Sequence, residues 1–252
     1  MVDFPINFFL FGYEFSSHLF FELLGSFLGF QYYRYLRKKS KDSLSDVNRL
    51  YVILGATIGA LLGSRILGSL VYPEIFFSFT SVFDLFLGGK TIVGGLIGGL
   101  IGVEIMKKII GEKNSSGDLL VYPVLIAMMI GRIGCLLTGV YDNTVGVETD
   151  FFLGFDQGDG LSRHPTSLYE IVFLALLFFV LKNIETSKKL LPGDLFKLFL
   201  SGYLLFRFCI DFLKPYPEVF LGLGSLQIAC LLVLLYYAKI FIQRFFFSSQ
   251  HG

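Results

Sequence analysis

The sequence predicts an all-α fold: a polytopic integral membrane bundle of about seven transmembrane helices, forming one domain over residues 1–252. Two observations support this prediction. Of the 252 residues, 54% are hydrophobic and only 16% are charged, whereas charged residues make up about a quarter of a soluble domain. Seven stretches are also apolar over about the 20 residues that a hydrocarbon core requires.

The seven apolar stretches set the predicted order of helices along the chain. They lie near residues 17–36, 49–72, 91–110, 118–140, 166–184, 194–213 and 223–245. The segment 73–90 is aromatic and is interrupted by a proline and paired glycines. It therefore predicts an interfacial or re-entrant piece rather than an eighth span. The N-terminus lacks a basic region and a small-residue cleavage site, so no cleavable signal peptide is expected.

Glycine spacing predicts close helix packing in the second and third spans. The second span carries Gly55, Gly59 and Gly63, which is a doubled GxxxG pattern, and the third reads VGGLIGGLIG. Hydrophobicity cannot drive helices together inside lipid, so small residues that let backbones approach each other stabilise the contact.

Basic residues determine the predicted orientation. They cluster after the first, third and fifth spans, at Arg34, Arg37, Lys38, Lys39, Lys41, Lys107, Lys108, Lys113, Lys182, Lys188 and Lys189. Cytoplasmic loops carry an excess of Lys and Arg. The N-terminus is therefore expected outside (periplasmic) and the C-terminus in the cytoplasm, with residues 141–165 forming an external loop.

Two arginines inside apolar spans are the main candidates for function. Arg132 lies within AMMIGRIGCLLTG in the fourth span, and Arg207 lies at a similar depth in the sixth. An arginine at mid-membrane costs roughly 2.5 to 3.5 kcal/mol on translocon scales, so each needs an anionic partner. Tyr203, Arg207 and Asp211 recur every four residues and share one helical face. All of these positions fall in the outer half of the membrane.

A histidine-containing motif enters the fifth span from the same side. It places His164, Tyr169 and Glu170 near the outer surface. Paired guanidinium groups fit a phosphate through forked hydrogen bonds, and a phospholipid headgroup is the anion expected at this depth. The structural alternative makes Arg207–Asp211 a simple i, i+4 pair and neutralises Arg132 with Glu170 or Asp211.

Other classes of site have little support in the sequence. The formal net charge of +1 does not indicate a nucleic-acid partner. Cys135, Cys209 and Cys230 lie in apolar runs and fit neither a disulfide framework nor a metal-ligand spacing, so packing thiols are expected. The sequence therefore predicts no metal and no cofactor.

Several motifs resemble the bacterial prolipoprotein diacylglyceryl transferases. They are GSRI at 63–66, GGLIGG at 94–99, GRIGCLLTG at 131–139, RHPTSLYE at 163–170 and YLLFRFCIDFLKP at 203–215. The resemblance implies a seven-span, multi-pass enzyme of the bacterial inner (plasma) membrane. It also implies two substrates, phosphatidylglycerol and the signal peptide of a prolipoprotein with its lipobox cysteine. Such an enzyme transfers diacylglycerol to that cysteine and releases glycerol phosphate.

The resemblance assigns roles to individual residues. The family's two essential arginines fall on Arg132 and Arg207, with Tyr203 and Asp211 one turn to either side of the second, and these four are the predicted catalytic residues. The loop glycine of the family falls on Gly146. The predicted substrate-binding residues are Arg132, Arg207, Gly146, His164, Tyr169 and Glu170.

The sequence also departs from the family pattern. Val93 stands where the family has a histidine, Cys135 where it has an asparagine, and Val140 where it has an acid that Asp142 could replace. His18 replaces a tyrosine of the first span. Without that histidine, His18 or His164 could serve as the general base, or deprotonation of the thiol requires no side chain.

Two other functions remain open at this point. A non-catalytic or retargeted phospholipid-binding homologue would explain the missing histidine. A transporter or channel would require internal repeats and proline-broken helices, and the sequence shows neither.

Overall fold

The computed structural model describes residues 4–10, 12–40, 44–72, 89–142 and 144–248, and these residues are mostly helical. They form seven helices of 17 to 24 residues. The helices are α1 (Ser17–Lys39), α2 (Asp46–Ser69), α3 (Ile92–Ile110), α4 (Val121–Thr138), α5 (Thr166–Ser187), α6 (Asp194–Ile210) and α7 (Ser225–Ser248). Two short antiparallel hairpins pair β1 (Phe8–Leu10) with β2 (Tyr13–Phe15) and β3 (Phe155–Asp156) with β4 (Ser162–Arg163).

Among the described residues, four helical segments are long and apolar enough to cross a membrane, judged by length and composition. They are Asp46–Ser69, Asp118–Asp142, Thr166–Ser187 and Ser225–Gln243. The prediction of an all-α membrane protein is confirmed. The count of seven spans and the orientation of the termini stay predictions, and residues 73–88 of the expected interfacial segment lie outside the described part of the chain.

Capping groups explain where several helices begin and end. The second span was expected from residue 49, but α2 begins at Asp46 because the Ser45 hydroxyl accepts a hydrogen bond of 3.2 Å from the backbone N–H of Asn48. Helix α3 ends at Gly111, whose φ of +71° is the left-handed conformation that suits a glycine at a helix C-terminus.

The chain divides into two compact units. The first comprises residues 1–42, 116–199 and 212–215, and the second comprises 43–115, 200–211 and 216–252. In the first unit α4 and α5 bury Leu125, Leu174 and Leu181. In the second, the buried side chains include Leu204 and Cys230.

Backbone contacts between glycines hold α2 against α3 in the second unit. A Cβ atom on Gly59 would lie 2.2 Å from the carbonyl oxygen of Gly98, and one on Gly63 would lie 2.4 Å from that of Gly94. Real Cβ atoms do not approach backbone this closely, so only glycine fits at these positions. The packing predicted from the GxxxG spacing is confirmed.

A similar contact joins α1 to α4 in the first unit. A Cβ atom on Gly25 would lie 2.6 Å from the carbonyl oxygen of Ala127, and one on Gly134 would lie 3.0 Å from the Cα atom of His18. The two helices run in opposite directions, so the start of α1 meets the end of α4. This contact places His18 beside the residues that follow Gly134.

Candidate active site

Arg132 lies in the interior of the first unit, paired with a carboxylate from a neighbouring helix. Its Nε atom is 2.9 Å from Oε2 of Glu170, and the two side chains are only 7% and 2% exposed. Its Nη1 atom also donates a 3.4 Å hydrogen bond to Sγ of Cys135, three residues along α4. A buried charge requires such partners because the desolvation of each ion costs several kcal/mol.

The histidine-containing motif forms the entry to α5. Pro165 precedes the first helical residue, and its fixed backbone ends the loop there. Nδ1 of His164 and the hydroxyl of Tyr169 share a hydrogen bond of 3.2 Å. The same turn directs the buried Glu170 toward Arg132. The three predicted residues of this motif therefore form one local arrangement.

Gly146 packs directly against this motif. Its backbone N–H donates a 3.0 Å hydrogen bond to the carbonyl oxygen of His164. A Cβ atom at position 146 would lie 2.5 Å from Cβ of His164 and 2.7 Å from its carbonyl oxygen. Glycine is required here because any side chain would displace the histidine.

The rest of the loop carries a hairpin with a tight turn. The Oδ1 atom of Asp156 accepts hydrogen bonds of 2.8, 3.1 and 2.9 Å from the backbone N–H groups of Gly158, Asp159 and Gly160. These donors stabilise the carboxylate, the Gly158 N–H most of all, and lower the pKa of Asp156 below its usual range. The turn is closed by a 2.7 Å contact from Nε of Arg163 to Asp159.

The second predicted arginine forms a separate ion pair within the second unit. Nη2 of Arg207 lies 2.7 Å from Oδ1 of Asp211, and the side chains are 4% and 2% exposed. Helix α6 ends at Ile210, so Asp211 begins a 3-10 turn. Tyr203, one turn before the arginine, is fully buried. Because Arg132 and Arg207 belong to different units, their convergence on one phosphate stays a prediction.

Both carboxylate contacts foreseen in the structural alternative are therefore present. They do not exclude a function for the arginines, because a guanidinium has five N–H donors and one carboxylate contact engages only part of it.

A cluster of three metal-ligating side chains lies beside Arg132. One ring nitrogen of His18, Sγ of Cys135 and one carboxylate oxygen of Asp142 all lie within 4.8 Å of one another. Nδ1 of His18 is 3.5 Å from Oδ1 of Asp142. These three side chains could hold a metal ion together, which their spacing in the sequence did not indicate. The expectations that the chain binds no metal and that Cys135 is a packing thiol stay predictions.

Sequence spacing did not reveal this cluster because its members come from α1, from α4 and from the 3-10 turn Gly139–Asp142. One pattern in the sequence indicates this contact, the GxxxG pair at Gly25 and Gly29 of α1. If that pair is interpreted as packing against an antiparallel α4, it predicts that His18 meets the end of that helix.

Comparisons with known proteins confirm the resemblance to the family. A family model described as "Prolipoprotein diacylglyceryl transferase" matches residues 5–243. The chain is similar to three proteins named phosphatidylglycerol–prolipoprotein diacylglyceryl transferase. The Francisella tularensis subsp. holarctica protein is 33% identical over 208 residues, covering 78% of this chain and 75% of the relative. The Paramagnetospirillum magneticum protein is 28% identical over 206 residues, covering 79% of this chain and 76% of the relative. The Bordetella parapertussis protein is 32% identical over 179 residues, covering 68% of this chain and 66% of the relative.

Proposed function

The chain belongs to the prolipoprotein diacylglyceryl transferase family, and on that premise we propose that it transfers diacylglycerol from phosphatidylglycerol to a prolipoprotein. The acceptor is the cysteine thiol of the lipobox in the precursor's signal peptide. The products are a thioether-linked lipoprotein precursor and glycerol phosphate. The observation that carries the proposal is the buried Arg132–Glu170 pair, which adjoins the motif around His164 in a chain of this family.

The reaction requires a thiolate and an activated phosphate leaving group. The thiol loses its proton, because the thiolate is the competent nucleophile. The sulfur then attacks the primary carbon of the glycerol backbone that bears the phosphate, forming a carbon–sulfur bond. The carbon–oxygen bond breaks, and its electron pair leaves on the phosphate oxygen. Negative charge therefore grows on the phosphate in the transition state.

Guanidinium groups suit that growing charge. We assign Arg132 and Arg207 to the phosphate, since fixed cationic donors in a dry site stabilise a developing anion strongly. Glu170 and Asp211 hold the two side chains at 2.9 and 2.7 Å, so the donors are oriented before substrate arrives. Tyr203, one turn before Arg207, completes the assigned catalytic set.

The remaining residues bind and position the phospholipid headgroup in this proposal. Tyr169 and His164 offer a hydroxyl and a ring nitrogen that are already joined to each other at 3.2 Å. Gly146 fixes the histidine by backbone contact. These groups are suited to the glycerol hydroxyls of phosphatidylglycerol because each can donate or accept a hydrogen bond.

The proposal includes a topology. Seven spans place the N-terminus in the periplasm and the C-terminus in the cytoplasm of a bacterial inner membrane, by the positive-inside rule. The loop 141–165 then lies on the periplasmic side.

Complementation of a strain depleted of its own transferase tests this function. Mass spectrometry of a lipoprotein reporter should detect the added diacylglycerol. Arg132→Lys should abolish the mass shift, because a lysine keeps the charge but cannot present a forked set of donors. Arg34→Ala, at an exposed position near the end of α1, is the matched control and should behave as wild type. An inserted, folded wild-type chain that adds no mass would defeat the proposal.

A further inference from the structure

We infer that His18, Cys135 and Asp142 form a zinc site that holds the thiolate of the acceptor cysteine. The inference rests on the proposed function and deepens it, because it names the group that replaces the missing histidine base. Three observations support it: the types of the ligand atoms, the distances between them, and a polar contact that each ligand makes with a second group.

The donor set is one that zinc prefers. Zinc in proteins binds imidazole nitrogen, cysteine sulfur and carboxylate oxygen, and three protein ligands with one open position are the arrangement of catalytic sites. His18, Cys135 and Asp142 supply one donor of each kind. The fourth position is left for a ligand from solution.

The distances fit a tetrahedral ion with little adjustment. Bonds of about 2.0 to 2.3 Å at tetrahedral angles separate neighbouring ligand atoms by about 3.4 to 3.6 Å. Nδ1 of His18 and Oδ1 of Asp142 are already 3.5 Å apart. All three donors lie within 4.8 Å of one another, so a shift of Sγ of Cys135 by little more than about 1 Å brings the set to tetrahedral spacing.

Each ligand is also oriented by a second group, as metal ligands in proteins usually are. Nε2 of His18, the ring nitrogen away from Asp142, lies 3.6 Å from Oε2 of Glu22. The Thr144 hydroxyl donates a 3.0 Å hydrogen bond to Oδ2 of Asp142, the oxygen that the ion would not use.

The third ligand is oriented by the phosphate-binding arginine itself. Nη1 of Arg132 donates a 3.4 Å hydrogen bond to Sγ of Cys135. The metal-bound sulfur would therefore touch the group assigned to the leaving phosphate. An acceptor thiolate on the metal and a phosphate on Arg132 would be neighbours, which is the proximity that displacement at the intervening carbon requires.

The site is reachable from outside the protein. The side chains of His18 and Asp142 are 24% and 18% exposed, whereas Cys135 is buried. A peptide cysteine can therefore occupy the open position. Coordination to zinc removes the thiol proton to solvent. The bound sulfur then forms the carbon–sulfur bond while the phosphate leaves with the electron pair of the carbon–oxygen bond.

Metal binding by the full chain in detergent micelles tests the inference directly. Purified protein should bind one zinc ion per chain, measured by elemental analysis after equilibration with Zn²⁺. Cobalt substituted for zinc should give a thiolate-to-cobalt charge-transfer band. That band should intensify when a synthetic lipobox peptide with a free cysteine is added, because a second sulfur joins the ion.

Variants separate ligation from folding. His18→Ala and Cys135→Ser should lose stoichiometric zinc. Thr144→Val removes the hydrogen bond to Asp142, together with the 3.3 Å contact of the same hydroxyl with that of Ser167, and leaves all three ligands in place. It should weaken zinc affinity 10 to 100-fold, a typical effect of losing a hydrogen bond to a ligand. Cys209→Ser is the matched control at an exposed cysteine and should leave zinc binding unchanged.

The outcomes distinguish this inference from the proposed function. Undiminished transfer by metal-free enzyme in chelator would overturn the zinc site and leave the transferase standing. Zinc binding by Cys135→Ser as tight as in wild type would also overturn it. A cobalt band that responds to the peptide in a chain without transferase activity would support the thiol-binding metal site and defeat the proposed reaction.

Discussion

Paired substitutions at Arg132 and Glu170 separate the structural role of this ion pair from its proposed role in binding phosphate. Glu170→Gln removes a negative charge with almost no change in shape. The two side chains are 7% and 2% exposed, so the arginine would retain a buried charge without its carboxylate. Breaking a buried pair in this way costs about 3 to 5 kcal/mol of stability.

The double variant Arg132→Gln/Glu170→Gln should recover most of that loss, because no buried charge remains uncompensated. The free energy of unfolding, from denaturant titration in mixed micelles, provides the comparison. Transfer activity should stay absent in the double variant, since the phosphate has lost its guanidinium.

Two results would refute this reasoning. A Glu170→Gln loss below about 1 kcal/mol, the value of an exposed pair, would show that the pair is not desolvated. A stable double variant with normal activity would show that the arginine serves structure alone.

Three further predictions concern packing, the loop and pH. Gly59→Ala should lower the free energy of unfolding by about 1 to 3 kcal/mol because its methyl group meets the α3 backbone at 2.2 Å, whereas Gly131→Ala, with nothing within 4 Å, should not. Gly146→Ala should abolish transfer while leaving membrane insertion intact on immunoblots of membrane fractions, because the new Cβ atom displaces the adjacent histidine. The folded-state pKa of Asp156 lies below its unfolded value, so its contribution to stability is present above pH about 4 and is lost as pH falls through the folded pKa. The protection factors of the hairpin amides, which correct for the intrinsic pH dependence of hydrogen exchange, should therefore fall on acidification, and in Asp156→Ala they should be low at every pH.

The order and approximate bounds of the helices follow from hydropathy, because a membrane requires long apolar stretches. The exact ends do not, because they depend on single capping groups. The start of α6 is an example. There the carboxylate of Asp118 accepts hydrogen bonds of 2.6 and 3.0 Å from the backbone N–H groups of Gly193 and Phe196. These donors lie 75 and 78 residues away, and no local pattern predicts such a contact.

The contacts of the candidate site also fall into those that the sequence predicts and those that it does not. The Arg207–Asp211 pair could be predicted because four residues separate neighbours on one helix face. The Arg132–Glu170 pair was one of two alternatives left open by the sequence. The association of His18 with Asp142 was not predicted, because it depends on which helices pack together and how closely.

The backbone contact between Gly134 and His18 has a consequence for how the site responds to temperature. Side chains that separate two helices exchange rotamers as temperature rises, and the spacing between the helices follows their average. At this contact the main chain of α1 meets a residue without a side chain. No rotamer lies between the two backbones. The spacing of the helices that carry His18 and Cys135 should therefore stay nearly constant from cold to warm membranes, while the surrounding lipid changes its fluidity.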